Sequence, residues 1–401
     1  MIKTYRQDPR DPEFVQNPYP FYDTTRDGNP LFHWEDYGFL CSSQYKTVNA
    51  MLRDRRFGRE APEGFKPEHP PHLKPFYDLE QHSLLELEPP KHTRIRGLLV
   101  RAFTSRRIAA LEPEIEKLSH ELVAAFPEGE VDLLPAFCEK LPIIIIARLL
   151  GVPEEMADQL LAWSHDMVAM YQVRRDRAVE DTAVKATVEF SNFIRDYIEA
   201  RRNDPRDDLI THLMAAEEDG EKLSMDELVT TCILLLNAGH EATVHGFANG
   251  IRSLLRLNEP IDEFFTSPET TLATVEETFR HDPPLHLFTR YVMEDLSAFG
   301  HDFKMGDTVG LLLGAANRDA EKYAEPHKFD VVRGGIGNLS FGAGLHFCIG
   351  TPLAKLEMAV ALPILFESYP DMRLAESPRF ADRFHFHGLE SLRVNLGEKH
   401  G

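Results

Sequence analysis

Cysteine is scarce in this chain: 401 residues contain four, Cys41, Cys138, Cys232 and Cys348. They lie far apart and form no CxxC pair, so neither a disulfide framework nor a zinc cluster is signalled. Basic charge is also short. Lys and Arg total 44 against 65 Asp and Glu, a formal charge of −21. So acidic a chain is a poor general binder of nucleic acid or of an anionic membrane. A long apolar run is missing too. The most apolar stretch, Leu141 to Val152 (LPIIIIARLLGV), is interrupted by Pro142 and Arg148 and falls short of the ~20 apolar residues that a bilayer span requires. It reads as a buried helix. The first residues, MIKTYRQDPRDPEF, are polar, and no secretory signal is expected. Reduced thiols in a cytoplasmic protein are the simplest expectation. No repeat, linker or low-complexity tract is present.

What is there points to a large helical core. The composition is 43% hydrophobic, enough to bury a core, and length alone suggests two or three domains. Residues Pro30 to Cys41 (PLFHWEDYGFLC) alternate loosely around a turn-like Asp36-Tyr37-Gly38 and predict a hairpin. From about residue 105 to 260 apolar residues recur at helical spacing. The clearest helix starts at Ser224, where Ser224 and Glu227 form a capping box. It runs to about Leu257, before Asn258 and Pro260, and would be ~50 Å long at 1.5 Å per residue. Its centre, Thr231 to Ala242 (TCILLLNAGHEA), is apolar on nearly all sides, as in a helix buried through the middle of a protein. A second helix is expected from the N-cap Ser267 and Pro268 to just before Pro283-Pro284. The chain is then irregular and Gly-rich from Gly300 to Gly350, and Pro352 opens a last apolar helix to about Phe366. The fold class is mainly α with minor β (α+β).

The segment Phe341 to Gly350 reads FGAGLHFCIG. Such a density of glycine permits tight, positive-φ turns and close approach of backbone to a ligand. Cys348 falls at or just before a helix start, where dipole and free N–H groups favour thiolate over thiol. An isolated Cys is more often buried and inert, and zinc would need further ligands that no spacing supplies. The agreement of glycines, His346 and helix start favours a functional thiol.

Phe341, Gly342, Gly344, His346, Cys348 and Gly350 reproduce the signature FGxGxHxCxG, and on these residues the chain resembles the cytochromes P-450. The resemblance implies that Cys348 is the axial thiolate of a haem iron, that His346 bonds a haem propionate, and that thiolate donation favours O–O cleavage. Glu277-Thr278-Phe279-Arg280 is similar to the family's ExxR motif and Pro326 to Arg333 (PHKFDVVR) to its PxxFDxxR segment. The implied role of Glu277, Arg280 and Arg333 is structural. Alone, an ExxR pair is usually a surface ion pair. His92 and Arg96, in EPPKHTRIRGLLVRAF, and Arg290 resemble further propionate ligands. Asn317-Arg318-Asp319, Pro18-Tyr19-Pro20, DRRFG from Asp54 to Gly58 and the stretch Gly388 to Val394 also match. The resemblance spans essentially the whole chain and implies one domain, residues 1–401, with the P-450 fold and its long central helix over haem b (iron protoporphyrin IX).

That helix departs from the family pattern [AG]GxxT. Ala238 and Gly239 leave room over the haem, and Glu241 stands at the acid position, able to relay protons as O2 is activated. Ala242 stands where Thr is usual, and Thr243 comes one residue late, ~100° around the helix. In the preferred reading a substrate hydroxyl or a water takes the place of Thr. Otherwise Thr243 serves through a local distortion at Gly239, or the enzyme uses peroxide or couples O2 poorly. Substrate contacts are expected from Phe65 to Leu85, Leu160 to Gln172, Leu234 to Ala242, Leu285 to Phe288 and Phe384 to His387, with Leu234, Asn237, Leu285, Leu287 and Phe386 as candidates. Histidines in these stretches (His82, His240, His286, His385, His387) would suit a small organic substrate with polar groups. With no flavin or nicotinamide domain in the sequence, electrons from NAD(P)H are expected through a ferredoxin or flavodoxin and its reductase. Arg94, Arg101, Arg106, Arg107 and Lys355 would give the docking face a basic patch. A monomeric monooxygenase performing C–H hydroxylation or oxidative O- or N-dealkylation is the leading expectation. A peroxide-using enzyme and a non-catalytic haem sensor are the alternatives.

Overall fold

The computed structural model describes residues 2–26, 28–171, 175–217, 220–257, 259–333, 337–382 and 384–399. The chain divides into two compact units, one of residues 1–66, 118–138 and 242–401, the other of residues 67–117 and 139–241.

The first unit carries the sheets. Its largest runs in the order Lys3–Tyr5, Phe32–Trp34, Phe39–Ser42, Thr308–Leu312, Leu287–Val292, Phe57–Gly58. The hairpin expected at residues 30–41 is present, with Phe32 opposite Cys41 in antiparallel register and Gly38 at φ +74° in its turn. Phe39–Ser42 then pairs in parallel with Thr308–Leu312. A Cβ at Gly310 would lie 2.6 Å from the Cys41 sulfur, so a glycine there lets the strands close. Val292, Val309 and Leu311 are fully buried beneath this sheet, each contributing about 1.5–3 kcal/mol by leaving water.

Two helices frame the Gly-rich segment. One is Pro268–His281, whose N-cap Ser267 accepts from the Thr270 N–H at 3.2 Å. The other is Thr351–Ser368, apolar around most of its circumference and accordingly buried at Leu353, Met358, Ala361, Leu362 and Leu365. The C-terminal half of the central helix packs on both. A Cβ at Gly246 would lie 2.9 Å from the Phe279 ring, and one at Gly250 3.2 Å from Thr278 and Met358. Glycines four apart on one face therefore set how closely these helices approach.

The second unit is built from helices, among them Lys91–Ala102, Lys140–Leu150, Ala157–Val168, Arg177–Asn203 and Leu209–Ala215. Lys140–Leu150 is the apolar run that the sequence marked, and it ends at Gly151 in the left-handed conformation, φ +84°. The central helix, Met225–Leu255, contributes residues to both units and has 31 residues, about 46 Å at 1.5 Å each. Its capping box is formed: the Ser224 N–H donates to Glu227 Oε2 at 2.8 Å, and the Glu227 N–H to Ser224 Oγ at 3.3 Å. Asn258, expected just past its end, lies outside the described residues.

Candidate functional site

The loop before Thr351–Ser368 folds back on itself. The Cys348 N–H donates to the Phe341 carbonyl at 3.0 Å, and Gly342 to Leu339 at 2.9 Å. Gly342 and Gly344 take φ of +69° and +70°, conformations that L side chains rarely adopt. At Gly344 a Cβ would also stand 2.5 Å from the Leu52 carbonyl oxygen, so the loop lies flat against helix Tyr45–Arg53. Cys348 sits three residues before the helix and is tied to it by Thr351 Oγ1, which donates to the Cys348 carbonyl at 2.9 Å. It is the exposed member of the four cysteines, the others being buried. Burial pushes the Cys232 thiol up to about 12 and raises Cys41 further. Those two are inert thiols by environment. Next to Cys348 along the chain, Phe347 is exposed and Leu345 and Ile349 are partly so, so the loop presents accessible apolar side chains.

A buried polar network supports this loop. Glu277 and Arg280 pair through two bonds, 2.6 Å to Nε and 2.7 Å to Nη2, with side chains 4% and 3% exposed. Arg280 also donates to the carbonyls of Asn317, Pro326 and Lys328 at 2.8–3.0 Å. Glu277 Oε1 accepts from the Asp330 N–H at 2.7 Å and has Arg333 Nε at 3.4 Å. Thus the ExxR and PxxFDxxR segments meet as a buried cluster, and not as a surface ion pair. The sequence did not show how the cluster reaches the Cys loop. Asn317 Oδ1 accepts from the Leu339 N–H at 2.7 Å and its Nδ2 donates to Ser340 Oγ at 2.8 Å. Ser340 Oγ in turn donates to the Phe279 carbonyl at 2.6 Å. Residues 339 and 340 lead directly into Phe341, whose ring lies 4.7 Å from that of Phe279.

The expected propionate ligands fall into both units. Arg290 is buried on strand Leu287–Val292, with Nη1 donating to the Thr289 carbonyl at 2.8 Å, and His346 is partly buried in the Cys loop. In the second unit, His92 is 1% exposed and Arg96 partly buried, one turn apart on Lys91–Ala102.

The central helix is continuous through Gly239. Leu234, Asn237, Ala238 and Ala242 are partly or fully exposed along one stripe of the helix, between buried Leu235, Leu236, His240 and Glu241. Gly239 is partly buried, and a Cβ there would lie 3.6 Å from the Ile146 side chain. Thr243 is 5% exposed and lies about 100° around from Ala242, turned from that stripe with no distortion to bring it back. Glu241 is 3% exposed, and its Oε1 lies 3.3 Å from His165 Nε2 on helix Ala157–Val168. His165 fell within the stretch Leu160 to Gln172 expected to line the substrate site, but nothing in the sequence singled it out. Gln172 itself lies outside the described residues.

The other candidates divide. Leu285 and Phe386 are paired in an antiparallel bridge, so two stretches far apart in sequence are brought together. Leu287 is instead 3% exposed in a core cluster with Phe14, Trp34 and Phe384, beside its cross-strand partner Leu312. His286 and His387 are fully buried in a polar network: Tyr22 Oη lies 2.8 Å from His286 Nδ1, and Asp282 Oδ1 3.5 Å from His387 Nε2. Burial depresses both well below the ordinary histidine range. The expected basic patch is largely neutralised by local partners. Arg94 pairs with Glu227, Arg107 with Asp207 and Lys355 with Glu276.

Among the described residues, no helix is long and apolar enough to cross a membrane. The family model "Cytochrome P450" matches residues 154–263 and 269–373. The chain is 35% identical over 376 residues to cytochrome P450 107B1 of Saccharopolyspora erythraea, covering 88% of each. It is 36% identical over 363 residues to the 6-deoxyerythronolide B hydroxylase of the same organism, covering 88% of this chain and 89% of that one. It superposes with a TM-score of 0.89 and 31% identity on P450BioI in complex with an acyl carrier protein ligated to hexadec-9Z-enoic acid, covering 96% and 99%. Cytochrome P450 PksS of Bacillus subtilis 168 gives 0.88 and 32%, covering 98% and 100%. The chain therefore belongs to the cytochrome P450 family, monooxygenases that use haem and dioxygen with redox partners.

Proposed function

We propose that this enzyme inserts one atom of dioxygen into a C–H bond of a small organic substrate, by hydroxylation or oxidative O- or N-dealkylation, with Cys348 as the iron ligand of haem b. The observation that carries the reading is the setting of Cys348: an exposed cysteine three residues before a helix, on a loop held by a buried Glu277–Arg280–Asn317–Ser340 network. The residues suit the group. A thiolate is a soft donor for iron, Leu345, Phe347 and Ile349 offer an apolar rim to a porphyrin, and the buried Arg290 and His92, with Arg96 and His346, are cationic or hydrogen-bonding partners for carboxylates. Bound there, the haem supplies the redox chemistry of oxygen activation, promoted by electron donation from the thiolate.

The chain's own residues bind, orient and move protons. Phe341 and Gly342 would fix the loop that holds the haem, Ala238 and Gly239 would leave room for it by carrying no large side chain, and Glu241 would hold or pass a proton, with His165 beside it. Because Ala242 carries no hydroxyl, a substrate hydroxyl or an ordered water takes that part in proton delivery. Leu234, Asn237, Leu285 and Phe386 contact the substrate, and Leu287 stays in the core. NAD(P)H, through a ferredoxin or flavodoxin with its reductase, would be the electron source. The chain acts as one catalytic domain and a cytoplasmic monomer.

A spin-state screen against small organic molecules, followed by turnover under 18O2 with a ferredoxin, its reductase and NADPH, tests the reading. Hydroxylation should leave one labelled oxygen in the product, and dealkylation should leave it in the released aldehyde, trapped before it exchanges with water. A hydroxylated product whose new oxygen comes from water, or turnover with peroxide but none with any competent reductase system, overturns it.

A further inference from the structure

The second unit contains a ligand-bearing cluster outside the Cys loop. His165 Nε2 lies 3.3 Å from Glu241 Oε1 and His240 Nδ1 3.9 Å from the same oxygen. The three donor atoms all lie within 4.8 Å of one another, and the two imidazole rings are 5.7 Å apart, tilted by 53°. Zinc bonds of about 2.0–2.1 Å in a tetrahedron place neighbouring donors roughly 3.4 Å apart. One pair already has that spacing, and the others need small side-chain rotations. His240 and Glu241 are 0% and 4% exposed in their side chains, whereas His165 is 43% exposed. Two donors are thus fixed by packing, and the third is solvent-accessible, so that a water can complete the shell.

Two imidazoles and one carboxylate are a donor set for borderline divalent transition metals, and not for Mg2+ or Ca2+, which take oxygen. We propose that His165, His240 and Glu241 form a binding site for such an ion, with Zn2+ as its readiest occupant. Binding uses deprotonated imidazole nitrogens and displaces the His165–Glu241 contact. If Glu241 carries protons as proposed above, occupancy by the metal and proton carriage exclude one another, which makes the site inhibitory. The metal site itself does not depend on that role.

The test uses the full-length, haem-loaded protein after treatment with EDTA. Zn2+ is titrated by calorimetry, and bound metal is counted by elemental analysis after gel filtration. One equivalent is expected on the native chain, above the weak background of surface histidines. His165→Gln should lower the affinity by at least the ~10–100-fold that even outer partners of a metal site contribute. His165→Glu, whose carboxylate reaches about as far from the backbone as Nε2, should retain more of the ion than His165→Gln while the haem spectrum reports an intact fold. Absence of a one-equivalent site in the native chain, equal affinity in His165→Gln, or a folded His165→Glu chain that binds zinc no better than His165→Gln would each overturn the proposal. No turnover is measured, so this failure is separable from failure of the monooxygenase reading.

Discussion

Replacing Glu277 by Gln should destabilise the protein by about 3–5 kcal/mol, the cost of breaking a buried ion pair by removing one charge. Glu277 accepts from Arg280 through both oxygens and from the Asp330 N–H, and the two paired side chains are only 3–4% exposed. The variant keeps the shape but turns one acceptor into a donor. It also leaves the Arg280 guanidinium buried with only backbone carbonyls to offset its charge. Against a total stability of roughly 5–15 kcal/mol, the loss is a large fraction. Urea unfolding midpoints of native and variant protein measure it. Lys74→Ala is the control, since the Lys74–Asp78 pair is 72% and 51% exposed and such pairs are worth about 0.3–0.5 kcal/mol. A Glu277→Gln loss no larger than that of the control would refute the claim that this pair supports the Cys loop from the core. Haem should also leave the variant faster, because the same network continues through Asn317 and Ser340 to Phe341.

Three other outcomes are expected. Burial holds the Glu357 carboxyl well above the usual carboxylate range, so as pH rises the unfolded chain loses this proton before the folded chain does. Its stability contribution is therefore fully present below about pH 4.3 and declines as pH rises toward the folded-state value, by at most ~1.4 kcal/mol per pH unit. Glu357→Gln should remove that decline, and a stability difference from native that is constant from pH 5 to 8 would contradict it. Gly344→Ala should cost more than ~1 kcal/mol in denaturant titration, given its positive φ and the Leu52 carbonyl oxygen 2.5 Å from the new carbon. Gly350→Ala, whose Cβ would be 3.7 Å from the Cys348 sulfur, should be tolerated. Ala242→Thr should raise the product formed per NADPH consumed once a substrate is found, and an unchanged ratio would argue against a missing hydroxyl as the limit on coupling.

Much of the framework was legible because its signals are local. The capping box at Ser224, the N-cap at Ser267 and the glycines of the Cys loop depend on residues within a few positions, and each appears where the sequence put it. The pairing of Glu277 with Arg280 was legible as helix spacing. Its burial was not, since that depends on chain arriving from Pro326 to Arg333. What the sequence concealed was tertiary. His165 meets Glu241 across two helices, with no pattern linking them. Leu287 resembled a pocket residue beside Leu285, yet rings distant in sequence, Phe14, Trp34 and Phe384, enclose it in the core. His286 and His387 looked like polar lining and instead satisfy Tyr22 and Asp282 in the interior. The basic patch appeared as isolated cations because the acids that neutralise Arg94, Arg107 and Lys355 are distant in sequence.

The central claim is that the exposed sulfur of Cys348 binds the haem iron as thiolate. The optical spectrum of the reduced, haem-loaded protein with carbon monoxide tests it directly, since the red-shifted Soret band reports thiolate donation to iron. The native chain should show that band, and Cys348→Ala should lose it. Well-folded, haem-loaded native protein without the band, or a Cys348→Ala variant that keeps it, would contradict the account.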